Sequence, residues 1–133
     1  MNGVVLDASA VLAFVYAEDG AEDVEQLLEA ATISTVNWSE TLTKILAQGG
    51  DPDRLGGQVL ALGPQIEPFT SADAEYAAKL YPLTSTRGLS LGDRACLAVA
   101  KRLEATVVTA DQAWAELNHG IEVRLIRTPK KQH

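Results

Sequence analysis

The sequence predicts an α/β protein: a central parallel sheet of about five short strands with helices on both faces. Three observations carry this. Short β-rich runs alternate with segments whose apolar residues recur at helical spacing. The clearest strand candidates, Gly3-Val4-Val5-Leu6 and Thr106-Val107-Val108-Thr109, are apolar or β-branched without alternation, as strands covered on both faces are. Each runs into an aspartate, Asp7 and Asp111, and open α/β sheets bind ligands beyond the carboxyl ends of their strands.

In chain order, Gly3 to Asp7 is the first strand, ending in its acid. Ala8 to Tyr16 follows as a helix apolar almost all round, so the core or a partner must bury it. Residues 18–29 hold six acids and no Lys or Arg, with Val24, Leu27 and Leu28 as one apolar stripe; the acids read as a solvated helix face. Thr32 to Thr35 is the second strand. A helix opens at Asn37-Trp38-Ser39-Glu40 and ends at Gly49-Gly50. Asp51-Pro52 starts the next, with Asp as N-cap and Pro in the first turn, and Gly56-Gly57 weakens it. Gln65 to Phe69 is a third strand, and Thr70 to Tyr81 a helix that stops at Pro82. After a loop holding Arg87 and Gly88, Ser90 caps a long helix in which Leu91, Ala95, Ala98, Val99 and Leu103 keep helical spacing and Asp93 sits in the first turn. Lys101 and Arg102 lie near its C-terminal end, where a helix favours cations. Thr106 to Thr109 is the fourth strand, Trp114 and Leu117 mark a short helix, and Glu122 to Ile126 is the last strand. Right-handed crossovers put all the strand carboxyl ends on one edge.

A chain of 133 residues is expected to be one domain, residues 1–127, followed by a polar basic tail, residues 128–133. A formal net charge of −7 argues against a broad basic surface that binds nucleic acid without specificity. It leaves room for a nuclease whose acidic pocket a metal cation neutralises. The single Cys96 excludes an intrachain disulfide and reads as a small core residue. His119 and His133 stand near the C-terminal end, which gives little support to zinc or to Ser–His and Cys–His catalysis. No stretch is long enough to span a bilayer and the N-terminal residues lack a signal-peptide pattern, so the cytoplasm is the expected compartment and no membrane partner is expected.

Four acids fall at one predicted edge. Asp7 and Asp111 end strands, and Glu40 and Asp93 lie in the first turns of helices that begin there. Each has a simpler reading: Asp7 and Asp111 cap the helices after them, and Glu40 and Asp93 close capping boxes with Asn37 and Ser90. Asp73, three residues after Thr70, reads as capping alone. Taken together, the four would repel one another unless a hard divalent cation with oxygen ligands, Mg²⁺ or Mn²⁺, joined them. Such a site activates water and stabilises a phosphoryl transition state. Ser9 and Thr109, each two residues from one of these aspartates, stand where a hydroxyl orients a carboxylate or bound water.

The residues Val5-Leu6-Asp7-Ala8-Ser9-Ala10, Asn37-Trp38-Ser39-Glu40, Leu89-Ser90-Leu91-Gly92-Asp93-Arg94-Ala95 and Val108-Thr109-Ala110-Asp111 resemble the PIN domain in order and spacing. More narrowly, they resemble VapC toxins of bacterial toxin–antitoxin pairs. The resemblance implies a PIN-like α/β/α sandwich around a parallel sheet. It implies an endoribonuclease that depends on Mg²⁺, with Mn²⁺ able to substitute, and that cleaves structured RNA such as tRNA or rRNA. It further implies a homodimer and inhibition by a cognate VapB-type antitoxin. By position, Asp7, Glu40, Asp93 and Asp111 correspond to the family's acidic site, with Asp7 and Asp93 the firmest metal ligands. Many PIN domains carry one more acid shortly after the last aspartate, where this chain has Gln112-Ala113-Trp114.

Arg87, Arg94 and Lys44 are candidate phosphate contacts by their closeness in sequence to the acids, Lys44 reading more simply as a surface cation. Two other functions share these features. One is a PIN-like interaction module that keeps the fold without catalysis; the other is a metal-dependent phosphatase on the same edge.

Overall fold

The computed structural model describes residues 3–84, 89–116 and 119–126. Five short strands form one sheet: β1 (Val4–Leu6), β2 (Ala31–Ser34), β3 (Gln65–Glu67), β4 (Thr106–Thr109) and β5 (Val123–Leu125). Every pairing is parallel, and the order across the sheet is β3-β2-β1-β4-β5. The apolar runs are continuous because neighbouring residues serve different cores. On β1, Leu6 packs with Ala10, Val11, Val24 and Leu28 on one face, while Val5 packs with Leu97, Val99 and Trp114 on the other. Alternation along a strand sends successive side chains to opposite faces, so both must be apolar.

The helices are α1 (Ala8–Val15), α2 (Ala21–Leu28), α3 (Thr35–Ala47), α4 (Pro52–Leu60), α5 (Ser71–Lys79), α6 (Tyr81–Thr84) and α7 (Leu91–Leu103), with a 3₁₀ turn over Gln112–Glu116. The result is the α/β/α sandwich that the sequence predicts. Caps follow the local chemistry: Asp51 accepts from the amides of Asp53 and Arg54, and Thr70 and Ser90 form capping boxes with Asp73 and Asp93. Pro82 lies inside the short helix α6 instead of ending the helix before it, since its missing N–H costs nothing in a first turn. Gly56 is a packing residue as well as a weak helix former. A Cβ there would stand 3.0 Å from Leu42 Cδ2, so its absence lets α4 lie close on α3.

The apolar helix α1 is covered by this chain itself. Ala8, Ala10, Val11, Leu12 and Ala13 are buried in the core and Phe14 and Val15 are half-buried, so α1 does not require a partner to cover it. The large apolar side chains that remain exposed lie elsewhere, at Leu46, Leu60 and Leu62 and at Tyr81, Leu83 and Leu91. Among the described residues, no helix is long and apolar enough to cross a membrane. Arg87 and the predicted tail 128–133 lie outside the described residues.

Candidate functional site

The sheet order creates the site. From β1 the chain runs one way to β2 and β3, and β4 and β5 pair on the other side, so the order reverses between β1 and β4. A crevice outside the strand ends is expected at such a reversal. Leu6 pairs with Val108, and the Asp7 amide donates to Val108 O at 3.2 Å. This register sets Asp7 beside Thr109 at the carboxyl end of the sheet.

Asp7 is buried and held from three sides. Its Oδ1 accepts from Ser9 Oγ at 2.7 Å and from the Ala10 amide at 2.9 Å, and its Oδ2 accepts from Thr109 Oγ1. The same hydroxyls reach on toward the end of β4: Ser9 Oγ accepts from the Ala110 amide at 2.9 Å, and Thr109 Oγ1 from the Asp111 amide at 3.0 Å. Burial pushes the Asp7 carboxyl up to about 6, against these hydrogen bonds, and the charge of Asp93 adds to the rise.

Asp93 sits at the N-terminus of α7, where its Oδ2 accepts from the Ser90 amide at 2.9 Å. Burial raises its carboxyl too, opposed by the Ser90 hydrogen bonds and reinforced by the charges of Glu40 and Asp111. The charge of Asp93 is thus felt at Asp7, and those of Glu40 and Asp111 at Asp93. Glu40 approaches it from α3, lying against Gly92, where a Cβ would stand only 2.9 Å from Glu40 Oε1. Asp111 is exposed, and its Oδ1 accepts from the Ala113 amide at 3.0 Å. Capping by Asp7, Asp93 and Asp111 is compatible with a second role, because a cap uses only part of a carboxylate's capacity to accept. Glu40 is different. Ser34 caps α3, accepting from the Asn37 amide at 3.1 Å, so Glu40 closes no capping box with Asn37.

No basic side chain forms an ion pair with these four acids among the described residues. The donor set is all oxygen and mutually repulsive, which fits a hard divalent cation. It is not a closed cage: among the described residues, no group of three or more His, Cys, Asp or Glu side chains stands ready to hold a metal ion.

The PIN-domain family model matches residues 4–120, nearly the whole chain, a range that includes the four acids. The chain belongs to the PIN family. Solved structures agree on the fold. A toxin–antitoxin complex from Klebsiella pneumoniae matches this PIN domain at a TM-score of 0.71 and 17% identity, over 94% of this chain and 98% of that one. DNA-bound VapBC from Salmonella typhimurium matches at 0.71 and 15%, over 96% and 100%. VapC20 from Mycobacterium tuberculosis, a toxin that cleaves the sarcin–ricin loop, matches at 0.68 and 16%, over 87% and 97%. No curated protein sequence matches the chain significantly.

Asn37 in this PIN domain does work that the sequence reading missed. It is fully buried; Ser34 Oγ donates to its Oδ1 at 2.7 Å, and its Nδ2 donates to Gly92 O at 3.0 Å. It therefore ties α3 to the start of α7 and sets Glu40 beside Asp93. The Ser34-x-x-Asn37 spacing was the available signal, but it reads equally as a cap. Arg94 is engaged away from the acids, its Nη1 donating to Ala77 O at 3.1 Å and its guanidinium 5.5 Å from the centre of the Tyr81 ring. Lys44 lines a cleft with Ser9 and Asp111. Cys96 is buried, and burial with the charges of Asp7, Asp93 and Glu40 pushes its thiol well up, which makes it an inert core residue.

Proposed function

We propose that this PIN domain is the toxin of a toxin–antitoxin pair: a Mg²⁺-dependent endoribonuclease, with Mn²⁺ able to substitute, that cleaves structured RNA such as tRNA or rRNA. The observation that carries the reading is the placement of Asp7, Glu40, Asp93 and Asp111 around the reversal of the sheet, four carboxylates with no paired cation among the described residues. The toxin–antitoxin complexes and the sarcin–ricin loop cleaving toxin among its structural relatives support the toxin role.

In this reading Asp7, Glu40, Asp93 and Asp111 would hold the ion, with Asp7 and Asp93 the firmest of the four. Ser9 and Thr109 keep the Asp7 carboxylate in one orientation, and Ser90 does the same for Asp93. The bound ion would supply an activated water and offset the charge that builds on the scissile phosphate. With its carboxyl near 6, Asp7 is ionised at neutral pH and available as a ligand, and it loses that capacity as pH falls through 6. The proposed inhibitor is a VapB-type antitoxin that places a cationic side chain among the acids. We also propose a homodimer; the exposed leucines of α3, α4 and α7 are apolar surface open to either partner.

The test is incubation of purified protein with total tRNA, with rRNA and with a small phosphomonoester. RNA cleavage is expected with Mg²⁺ or Mn²⁺ and none with EDTA, and Asp93→Asn should fold by circular dichroism yet lose activity. Undiminished cleavage in chelator would sink the metal mechanism. Turnover of the phosphomonoester without RNA cleavage would make the protein a phosphatase, and no turnover of either would leave an interaction module.

A further inference from the structure

Beside the acids lies an open cleft of about 550 Å³, large enough for a nucleotide-sized ligand. Its wall shares Ser9 and Asp111 with the acidic site and adds Tyr16, Lys44 and Gln48. Lys44 is the one cation on that wall, exposed and without an ion pair among the described residues. Glu40, Lys44 and Gln48 are spaced four residues apart, so they form one stripe along α3. The stripe begins at the carboxylate beside Asp93, and Lys44 stands one turn, ~5.4 Å, further along the axis, a span one nucleotide can bridge. The Tyr16 hydroxyl is buried and has no hydrogen-bond partner among the described residues, as expected of a polar group that a ligand or water completes. Glu18 shares the wall and restricts where an anion can sit. Arg94 is committed to Ala77 and Tyr81.

We infer that this cleft takes the nucleotide next to the scissile phosphodiester and that Lys44 binds its phosphate, an assignment that rests on the ribonuclease reading above. Lys44 is then a substrate-binding residue that sets which phosphodiester reaches the acids. Phosphate contacts of this kind position a strand without reading its bases.

The experiment compares Lys44→Ala, Lys44→Arg and a control, Lys101→Ala, which removes the same charge at the far end of α7 from Asp93. Circular dichroism checks each fold. A short fluorescein-labelled single-stranded RNA is titrated with each variant in an Asp93→Asn background across a salt series, and cleavage of total tRNA is measured in the active background. Lys44→Ala should weaken RNA binding about tenfold and flatten the salt dependence by about 0.7 in log–log slope, the share of one phosphate on a single strand. KM should rise by more than kcat falls. Lys44→Arg should recover most of the loss, and Lys101→Ala should behave as the parent. If the parent cleaves RNA and Lys44→Ala matches it in affinity and slope, the inference is overturned and the ribonuclease reading stands. If the parent neither binds nor cleaves RNA, the ribonuclease reading fails and takes this one with it. A Lys44→Ala protein that binds RNA normally but loses affinity for the cognate antitoxin would give the cleft to the protein partner.

Discussion

Asp7 costs the fold stability when it is ionised. It accepts three hydrogen bonds, yet its carboxyl still sits at about 6, against 3.8 for a free aspartate. That shift corresponds to a cost of about 3 kcal/mol for keeping the charge in the fold at neutral pH. The folded protein binds this proton more tightly than the unfolded chain, so the group's contribution to stability falls as pH rises from about 4 to about 6. In EDTA, Asp7→Asn should therefore melt above the wild type at pH 7, by up to about 3 kcal/mol, and the difference should shrink toward pH 4. The same variant should lose RNA cleavage. Thermal melts of both proteins across this range check it, and a variant less stable than wild type at pH 7 would contradict the account.

Helix α7 is anchored at both ends. At the N-terminus Ser90 and Asp93 make the capping box that also fixes the Asp93 carboxylate. At the C-terminal end Arg102 donates from Nε and Nη2 to Asp73, from Nη1 to Glu67 Oε2 and from Nη2 to Pro68 O, which ties α7 to the start of α5 and the end of β3. Asp73 is thus more than a cap. Burial alone would raise its carboxyl, but the Arg102 and Thr70 hydrogen bonds outweigh that and hold it below the usual value. Asp73→Asn keeps the shape and removes the charge, which should cost about 1–3 kcal/mol at pH 7, the scale of hydrogen bonds to charged groups. Because the folded carboxyl is depressed, this stabilisation is present above pH 3.8 and is lost as pH falls further. Denaturant melts at pH 7 and pH 3 should show the gap between wild type and variant closing at the lower pH. Cleavage per folded molecule at low temperature should stay near wild type, since Asp73 is not one of the four acids of the proposed site.

At the scale of the molecule, a formal net charge of −7 and four like charges at one sheet edge make the metal-free protein an electrostatic compromise. A ligand that binds only the folded state raises its stability by mass action, about 2.7 kcal/mol when present at a hundredfold excess over its dissociation constant. Mg²⁺ or Mn²⁺ should therefore raise the melting temperature by several degrees, and NaCl at matched ionic strength should raise it far less. Asp93→Asn should abolish most of the difference between the two salts. Equal shifts with both salts, in wild type and variant alike, would mean general screening and no bound ion. This measurement needs no knowledge of the RNA.

What the sequence determined by itself was whatever forms within a few residues. The caps at Asp51, Thr70 and Ser90, the apolar period of α7 and the β-branched run of β4 depend on contacts within about a turn, so the elements and their sheet edge could be read directly. The four acids were legible for the same reason: each stands at an element boundary or one turn inside it. Only the tertiary structure decided which distant groups meet. The order β3-β2-β1-β4-β5 brings Asp7 to Thr109 across a large separation in sequence. Packing of α3 on α7 turned Asn37 from an expected cap into a bridge to Gly92. The long cations were the least legible. Arg102, read as answering the helix dipole, pairs with Asp73, and Arg94, read as a phosphate contact, turns to Ala77. A flexible side chain several bonds long can reach any of several neighbours, and which one it meets is set by how the elements pack, which local sequence does not encode.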